Sequence, residues 1–100
     1  MDYIDQVSAS PKEYRLLAES EAGRMLEMRV APGTSDQEHS HPSEIVYFLS
    51  GGKARIHLPN GESMEVEIPD GHVMEHEAWT HRVENIGTTE IHAIIFEPKQ

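Results

Sequence analysis

The chain of 100 residues has room for one hydrophobic core, which excludes a separate cofactor domain beside a substrate domain. Hydrophobic residues make up 37% and predict a folded domain, and a formal charge of -10 argues against binding to nucleic acid or to an anionic membrane. Cysteine is absent, which excludes disulfides, thiolate ligands and cysteine nucleophiles.

The first 24 residues allow two interpretations. Ser10-Pro11-Lys12-Glu13 has the form of a helix capping box, so one turn of helix is consistent with it. Residues 14–18 are equally consistent with a first strand. We therefore assign residues 1–24 to an N-terminal arm or first strand and residues 25–98 to a barrel, within one domain of residues 1–100.

Short alternating runs separated by Gly and Pro predict an all-β domain. Residues 26–30 alternate between apolar and charged side chains, as a half-buried strand does. Residues 54–58 and 64–68 show the same alternation, and Pro59-Asn60-Gly61 between them predicts a tight hairpin turn.

Residues 45–49 are apolar throughout and predict a strand that is covered on both faces. Further strands are expected at about 72–77, 80–85 and 90–97, which gives seven or eight strands after residue 25. A small β domain must protect its sheet edges by closing a barrel, by stacking two sheets or by pairing with a second copy. We expect a homodimer.

Three of the seven histidines are candidates for a metal site. His39 and His41 lie at positions i and i+2, which project from the same face of a strand and can share one ion. Taken alone, such a pair is also typical of an exposed polar loop. Pro42 interrupts the strand and resets the parity before Glu44. His81 alternates with Arg82 and Glu84, which predicts that its ring points inward.

The sequence gives less information about the positions of two aromatic residues near His81. His76 could approach the site from an adjacent strand, but a surface position is the better interpretation. Trp79 is consistent with the mouth of a pocket, with ordinary core or with a dimer contact.

The spacing of these residues resembles the first motif of the cupin family. Gly33, His39-Ser40-His41, Glu44 and Gly51 follow that motif, although two residues separate His41 from the glutamate where the family has three or four. The second cupin motif is partly present, because three residues separate His81 from Asn85. Its Pro-x-Gly element is missing before His81. The segments around these motifs look closest to small bacterial cupins that often carry the label beta-alanine degradation protein.

The resemblance implies a small jelly-roll barrel of the RmlC-like type, a double-stranded β-helix, with one divalent metal ion per chain. The ligands implied are His39, His41 and His81, with Glu44 as the fourth. Water, a substrate carboxylate or dioxygen would fill the remaining positions. Fe(II) is the favoured ion, and Mn, Ni, Cu or Zn also suits three imidazoles and a carboxylate.

The function predicted on this basis is a metal-dependent enzyme of dioxygenase, isomerase or lyase type that acts on a small organic molecule. The alternative is a non-catalytic module that binds a small ligand, and a third possibility is an empty barrel with a structural role. No nucleotide-binding loop or serine-hydrolase motif is present, and no catalytic residue is assigned. The acidic start and the lack of long apolar runs predict a cytoplasmic protein.

Overall fold

The computed structural model describes residues 3–99, which form two facing β-sheets and one short helix. In chain order the elements are α1 (Gln6–Ala9), β1 (Tyr14–Glu19), β2 (Gly23–Val30), β3 (His39–His41), β4 (Glu44–Ser50), β5 (Gly52–His57), β6 (Ser63–Ile68), β7 (Val73–His76), β8 (Trp79–Asn85) and β9 (Ile91–Pro98).

The strands form a five-stranded sheet in the order β1-β2-β9-β4-β7 and a four-stranded sheet in the order β3-β8-β5-β6. Every named ladder is antiparallel. The inward side chains of both sheets form the core, because alternate residues of a strand face the same side. The prediction of an all-β domain is confirmed, and the eight strands from β2 to β9 match the expected number.

The N-terminal segment contains both a helix and a strand. Asp5 caps α1 by accepting a hydrogen bond from the Ser8 amide, and the helix ends before Ser10. The capping-box residues do not begin a helix, because the Ser10 hydroxyl instead donates to Glu13 at 2.5 Å in the turn that leads into β1. Of the two interpretations of residues 14–18, the first strand is the one that forms.

The predicted hairpin between β5 and β6 is confirmed, but its loop is wider than a two-residue turn. The last strand pair is His57 with Ser63. The Leu58 amide donates to the Glu62 carbonyl at 2.8 Å, so three residues, 59–61, lie between this bonded pair. In this loop only Gly61 has a positive φ, of 90°.

The expectation that residues 45–49 are covered on both faces is wrong. Val46 and Phe48 are buried, whereas Ile45, Tyr47 and Leu49 are 43 to 46% exposed. The reason is that β4 lies inside the five-stranded sheet, and only the inner face of this sheet packs against the other sheet. The outer face therefore carries apolar side chains that the described part of the chain leaves uncovered.

Three residues of the motifs have structural roles. Gly33 has a φ of 75°, which a side chain disfavours. A Cβ on Gly51 would lie 1.9 Å from the Ile68 carbonyl oxygen. The buried Asn85 side chain donates to the Val30 and Thr89 carbonyls at 2.9 and 2.8 Å. Each of these residues therefore fixes a turn or a strand end of the barrel.

Candidate metal centre

The three predicted histidine ligands meet inside the barrel. His39 and His41 lie on β3 and His81 lies on the neighbouring strand β8, where it pairs directly with His39. Their exposed fractions are 0, 2 and 5%, and their ring centroids lie 4.8 to 5.2 Å apart. One ring nitrogen from each residue lies within 4.8 Å of the others. The two sequence segments thus supply one cluster.

The hydrogen bonds of two of these rings leave a nitrogen lone pair available. His39 Nδ1 lies 2.7 Å from the Gln37 carbonyl oxygen, and because a carbonyl only accepts, Nδ1 carries the proton. His41 Nδ1 donates in the same way to Glu97 Oε2 at 2.7 Å. In both residues Nε2 is therefore the nitrogen that can bind a metal ion, and the outer hydrogen bond fixes the ring orientation.

His81 supplies the test of whether this cluster fits a metal ion. Both of its ring nitrogens are buried and have no hydrogen-bond partner. An unpaired buried polar group costs free energy, so native proteins satisfy nearly all of them. A metal ion among the three rings would satisfy one nitrogen of His81 and also bind the free Nε2 atoms. The residues present therefore fit a divalent ion.

Burial keeps the imidazoles of His39 and His81 in the neutral form that binds metals. Desolvation, helped by the positive potential of His41, lowers the pKa of His39 to about 4. Desolvation and the two neighbouring histidines lower the pKa of His81 to about 2. At neutral pH the His39 and His81 rings are therefore uncharged and present nitrogen lone pairs.

Glu44, the predicted fourth ligand, is buried at the start of β4. The break at residues 42–43 separates β3 from β4, as the proline predicts, and Glu44 faces inward. Its Oε2 accepts a hydrogen bond from the Trp79 indole at 2.6 Å, and its Oε1 lies 3.7 Å from His41 Nδ1. Burial raises the pKa of its carboxyl group. In the described residues the compact donor group consists of the three histidines alone, so Glu44 stays a predicted ligand.

Sequence reasoning missed Glu97, the carboxylate behind His41. Glu97 is buried on β9 and also accepts hydrogen bonds from Gln6 and, at 3.0 Å, from Arg24. Burial acts to raise its pKa, but the hydrogen bonds and charges of His41 and Arg24 outweigh this effect and lower the pKa. A signal was present, because Glu97 continues the inward parity of Ile91, Ala93 and Ile95.

Tyr14 and Asp36 form a second supporting pair beside His39. The Tyr14 hydroxyl lies 3.1 Å from both Asp36 Oδ2 and His39 Nε2. Burial raises the pKa of Asp36 to about 7, although hydrogen bonds from the Val83 amide and Tyr14 act against this rise. The hydroxyl can donate to Asp36, which leaves His39 Nε2 free for a metal ion.

A cavity of about 390 Å³ adjoins the cluster and is lined in part by His41, His81 and Glu44. Its wall includes His76, which is half-buried and stacks on Trp79 with ring centroids 3.6 Å apart. The surface assignment of His76 is therefore wrong, because its strand β7 pairs with β4 at Glu44. The Trp79 indole lines the cavity, as one of its interpretations predicted.

Comparison with known proteins identifies the fold. A cupin domain from Bordetella pertussis matches over 100% of this chain and 99% of its own, with a TM-score of 0.78 and 22% identity. An RmlC-like cupin from Methanocaldococcus jannaschii, described as a double-stranded β-helix, matches over 85% of this chain and 77% of its own, with a TM-score of 0.65 and 13% identity. A protein from Thermotoga maritima described as a predicted oxalate decarboxylase matches over 83% and 76%, with a TM-score of 0.58 and 25% identity.

No protein-family profile and no curated protein sequence matches the chain. The structural neighbours are cupin-domain proteins, and the predicted double-stranded β-helix fold is confirmed. In residues 3–99 no helix has the length and apolar character needed to cross a membrane.

Proposed function

We propose that this cupin-fold protein is a metal-dependent enzyme that converts a small organic molecule. The observation that carries the proposal is the buried His81 ring, whose nitrogens have no partner, beside two further histidines whose Nε2 atoms can bind a metal ion. A structural role alone gives no reason to bury three imidazoles together, because each loses its hydration.

The chain's own residues would hold the ion and leave a position open toward the cavity. His39, His41 and His81 act as ligands, and we keep Glu44 as the proposed fourth, since it lines the same cavity. A bound divalent ion supplies a Lewis acid that polarises a substrate oxygen. Glu97 and the Gln37 carbonyl hold the two β3 rings in the tautomer that binds metal.

The cavity contributes the second requirement of catalysis, a site that excludes water and orients a substrate. It lies directly against the histidine cluster, and the Trp79 indole keeps the Glu44 carboxylate in a fixed orientation. Three protein nitrogens leave coordination sites open, which is the arrangement of catalytic rather than closed structural metal sites. We take Fe(II) as the first ion to test because imidazole and carboxylate ligands with open positions suit it.

The test uses protein loaded anaerobically with Fe(II), and separately with Zn(II). Oxygen consumption and product formation are then measured with a panel of small alcohols, ketones and acids. Turnover with Fe(II) that disappears in H81A supports an oxygen-dependent enzyme, and metal-dependent turnover without oxygen uptake supports an isomerase or lyase. Stoichiometric metal binding with no turnover of any panel member supports the non-catalytic binding module instead.

We also propose that a second copy of the chain covers the outer face of the five-stranded sheet. Tyr47 on β4 pairs with Val73 on one side and with Ile94 on the other, so three apolar side chains adjoin on this face. In the next row Ile45 pairs with Phe96. Apolar surface of this extent is typical of interfaces, and self-association is the simplest way to bury it. The beta-alanine degradation label and a cytoplasmic location are likewise proposals.

A further inference from the structure

We propose that the cavity binds a neutral, largely apolar molecule with a single oxygen donor. This inference rests on the proposed function in one respect, the placement of that oxygen at the histidine cluster. The class of ligand follows from the chemistry of the cavity wall. Away from the histidines the wall is built by aliphatic, thioether and aromatic side chains, among them Met28, Phe48, Ile56, Val66 and Ile95.

The charges on the wall argue against an anionic ligand. In the described part of the chain, the charged residues that line the cavity are the carboxylates Glu44 and Glu67, and neither lysine nor arginine is among the lining residues. The guanidinium near the site, Arg24, already pairs with Glu97 and Asp5. In the metal-free protein a ligand carboxylate would lose hydration on entry without a cation on the cavity wall to compensate for that loss.

The volume of the cavity sets the size of the ligand. An apolar cavity of about 150 Å³ holds benzene, so one of 390 Å³ holds a molecule of about 10 to 15 non-hydrogen atoms. A small dianion such as oxalate would leave most of the apolar wall without contact. A compact aromatic or branched aliphatic alcohol or ketone would fill it and direct its oxygen to the histidine end.

Apolar side chains also line part of the entrance, beside Glu67, His72 and His76. Most of the half-buried or exposed wall residues lie on β6 and β7, the edge strands of the two sheets, which share no ladder. Met64, Val66 and Ile68 project from one face of β6 toward the cavity, while Met74 faces it from β7. Methionine adapts its shape to different apolar ligands. In a closed barrel the apolar face of β6 would be part of the core. Because β6 and β7 share no ladder, this face instead forms one side of the entrance.

The test compares two probes that share a carbon skeleton, 4-phenylbutan-1-ol and 4-phenylbutanoate, with oxalate as a third. Binding is measured by calorimetry and by the fluorescence of Trp79, the only tryptophan of the chain, on protein treated with chelator and on Zn(II)-loaded protein. We expect the alcohol to bind with a Kd at least tenfold lower than either anion in the chelator-treated protein, where no metal charge compensates the carboxylates. Tighter binding of an anion in that form, or no binding of the alcohol in either form, would overturn the inference.

A matched pair of variants tests the location. V66R places a cation on the cavity wall and should reduce the preference for the alcohol over the carboxylate at least tenfold. S63R adds the same charge to the outer face of the same strand and should leave the preference within twofold of wild type. An equal effect of both variants would place the ligand elsewhere. Zn(II) stoichiometry is measured separately, so failure of the metal proposal is distinguishable from failure of this inference.

Discussion

Replacing Glu97 with glutamine tests whether the carboxylate behind His41 prepares that ring for a metal ion. The variant keeps the shape of the side chain but removes the charge that accepts the His41 Nδ1 proton at 2.7 Å. Such charge-assisted hydrogen bonds are about twice as strong as neutral ones. Removing an outer partner of a ligating histidine weakens metal binding about 10- to 100-fold, which corresponds to about 1.4 to 2.7 kcal/mol.

The assay is a competition titration of Zn(II) between the protein and a chromogenic chelator, with the visible spectrum of Co(II)-loaded protein as a second readout. The spectrum reports on the geometry of the ligands, which a purely structural role of Glu97 would leave unchanged. E90Q is the control, because Glu90 is an exposed carboxylate that pairs with Arg29 at 2.7 Å and does not belong to the cluster of His39, His41 and His81. A folded E97Q protein with wild-type Zn(II) affinity and an unaltered Co(II) spectrum would refute the reasoning.

The remaining predictions concern the fold, its pH dependence and self-association. In urea denaturation, G51A should lower the free energy of unfolding by about 3 kcal/mol, because the new Cβ meets the Ile68 backbone. G33A has open space around its new Cβ and should lower the free energy of unfolding by about 1 kcal/mol, because only the backbone conformation is disfavoured. Equal losses in the two variants would contradict this account. In chelator-treated protein, His81 of the unfolded chain takes up a proton as the pH falls below its ordinary pKa of 6.5. In the folded chain the pKa of His81 is about 2, so the ring stays neutral over this range. The stability of wild type relative to H81N should therefore fall by about 2 kcal/mol between pH 7 and pH 5, and an unchanged difference would mean that His81 titrates freely. Y47K should shift the mass measured by light scattering from dimer to monomer, and a wild-type chain that is monomeric would exclude the proposed interface.

The parity of strands made much of the site predictable. The spacing of His39 and His41 placed both side chains on one face, and the alternation with Arg82 and Glu84 placed His81 inward, whereas their meeting at one site was implied by the resemblance to the cupin motifs. The break at Pro42 correctly accounted for the inward direction of Glu44. The facing of these side chains follows from the two-residue period of a strand, which the sequence displays directly.

Other features depend on which strands become neighbours, and this the local pattern does not contain. Residues 45–49 look like a strand covered on both faces, but their apolar outer side lies on an uncovered sheet face. The contact of His76 with Trp79 arises because β7 pairs with β4. Glu97 lies 56 positions from His41 in the chain and reaches it only through the pairing of β9 within the sheet.

Metal content tests the central claim most directly. Wild type, H81A and H92A are saturated with Zn(II), desalted and analysed for metal per chain, with circular dichroism to verify folding. His92 serves as the control because it lies on β9 and pairs with Glu27 at 2.8 Å, outside the histidine cluster. We predict about one ion per chain in wild type and H92A, and a loss of bound metal of about tenfold or more in H81A. Full occupancy in folded H81A, or no bound ion in wild type, would contradict the account.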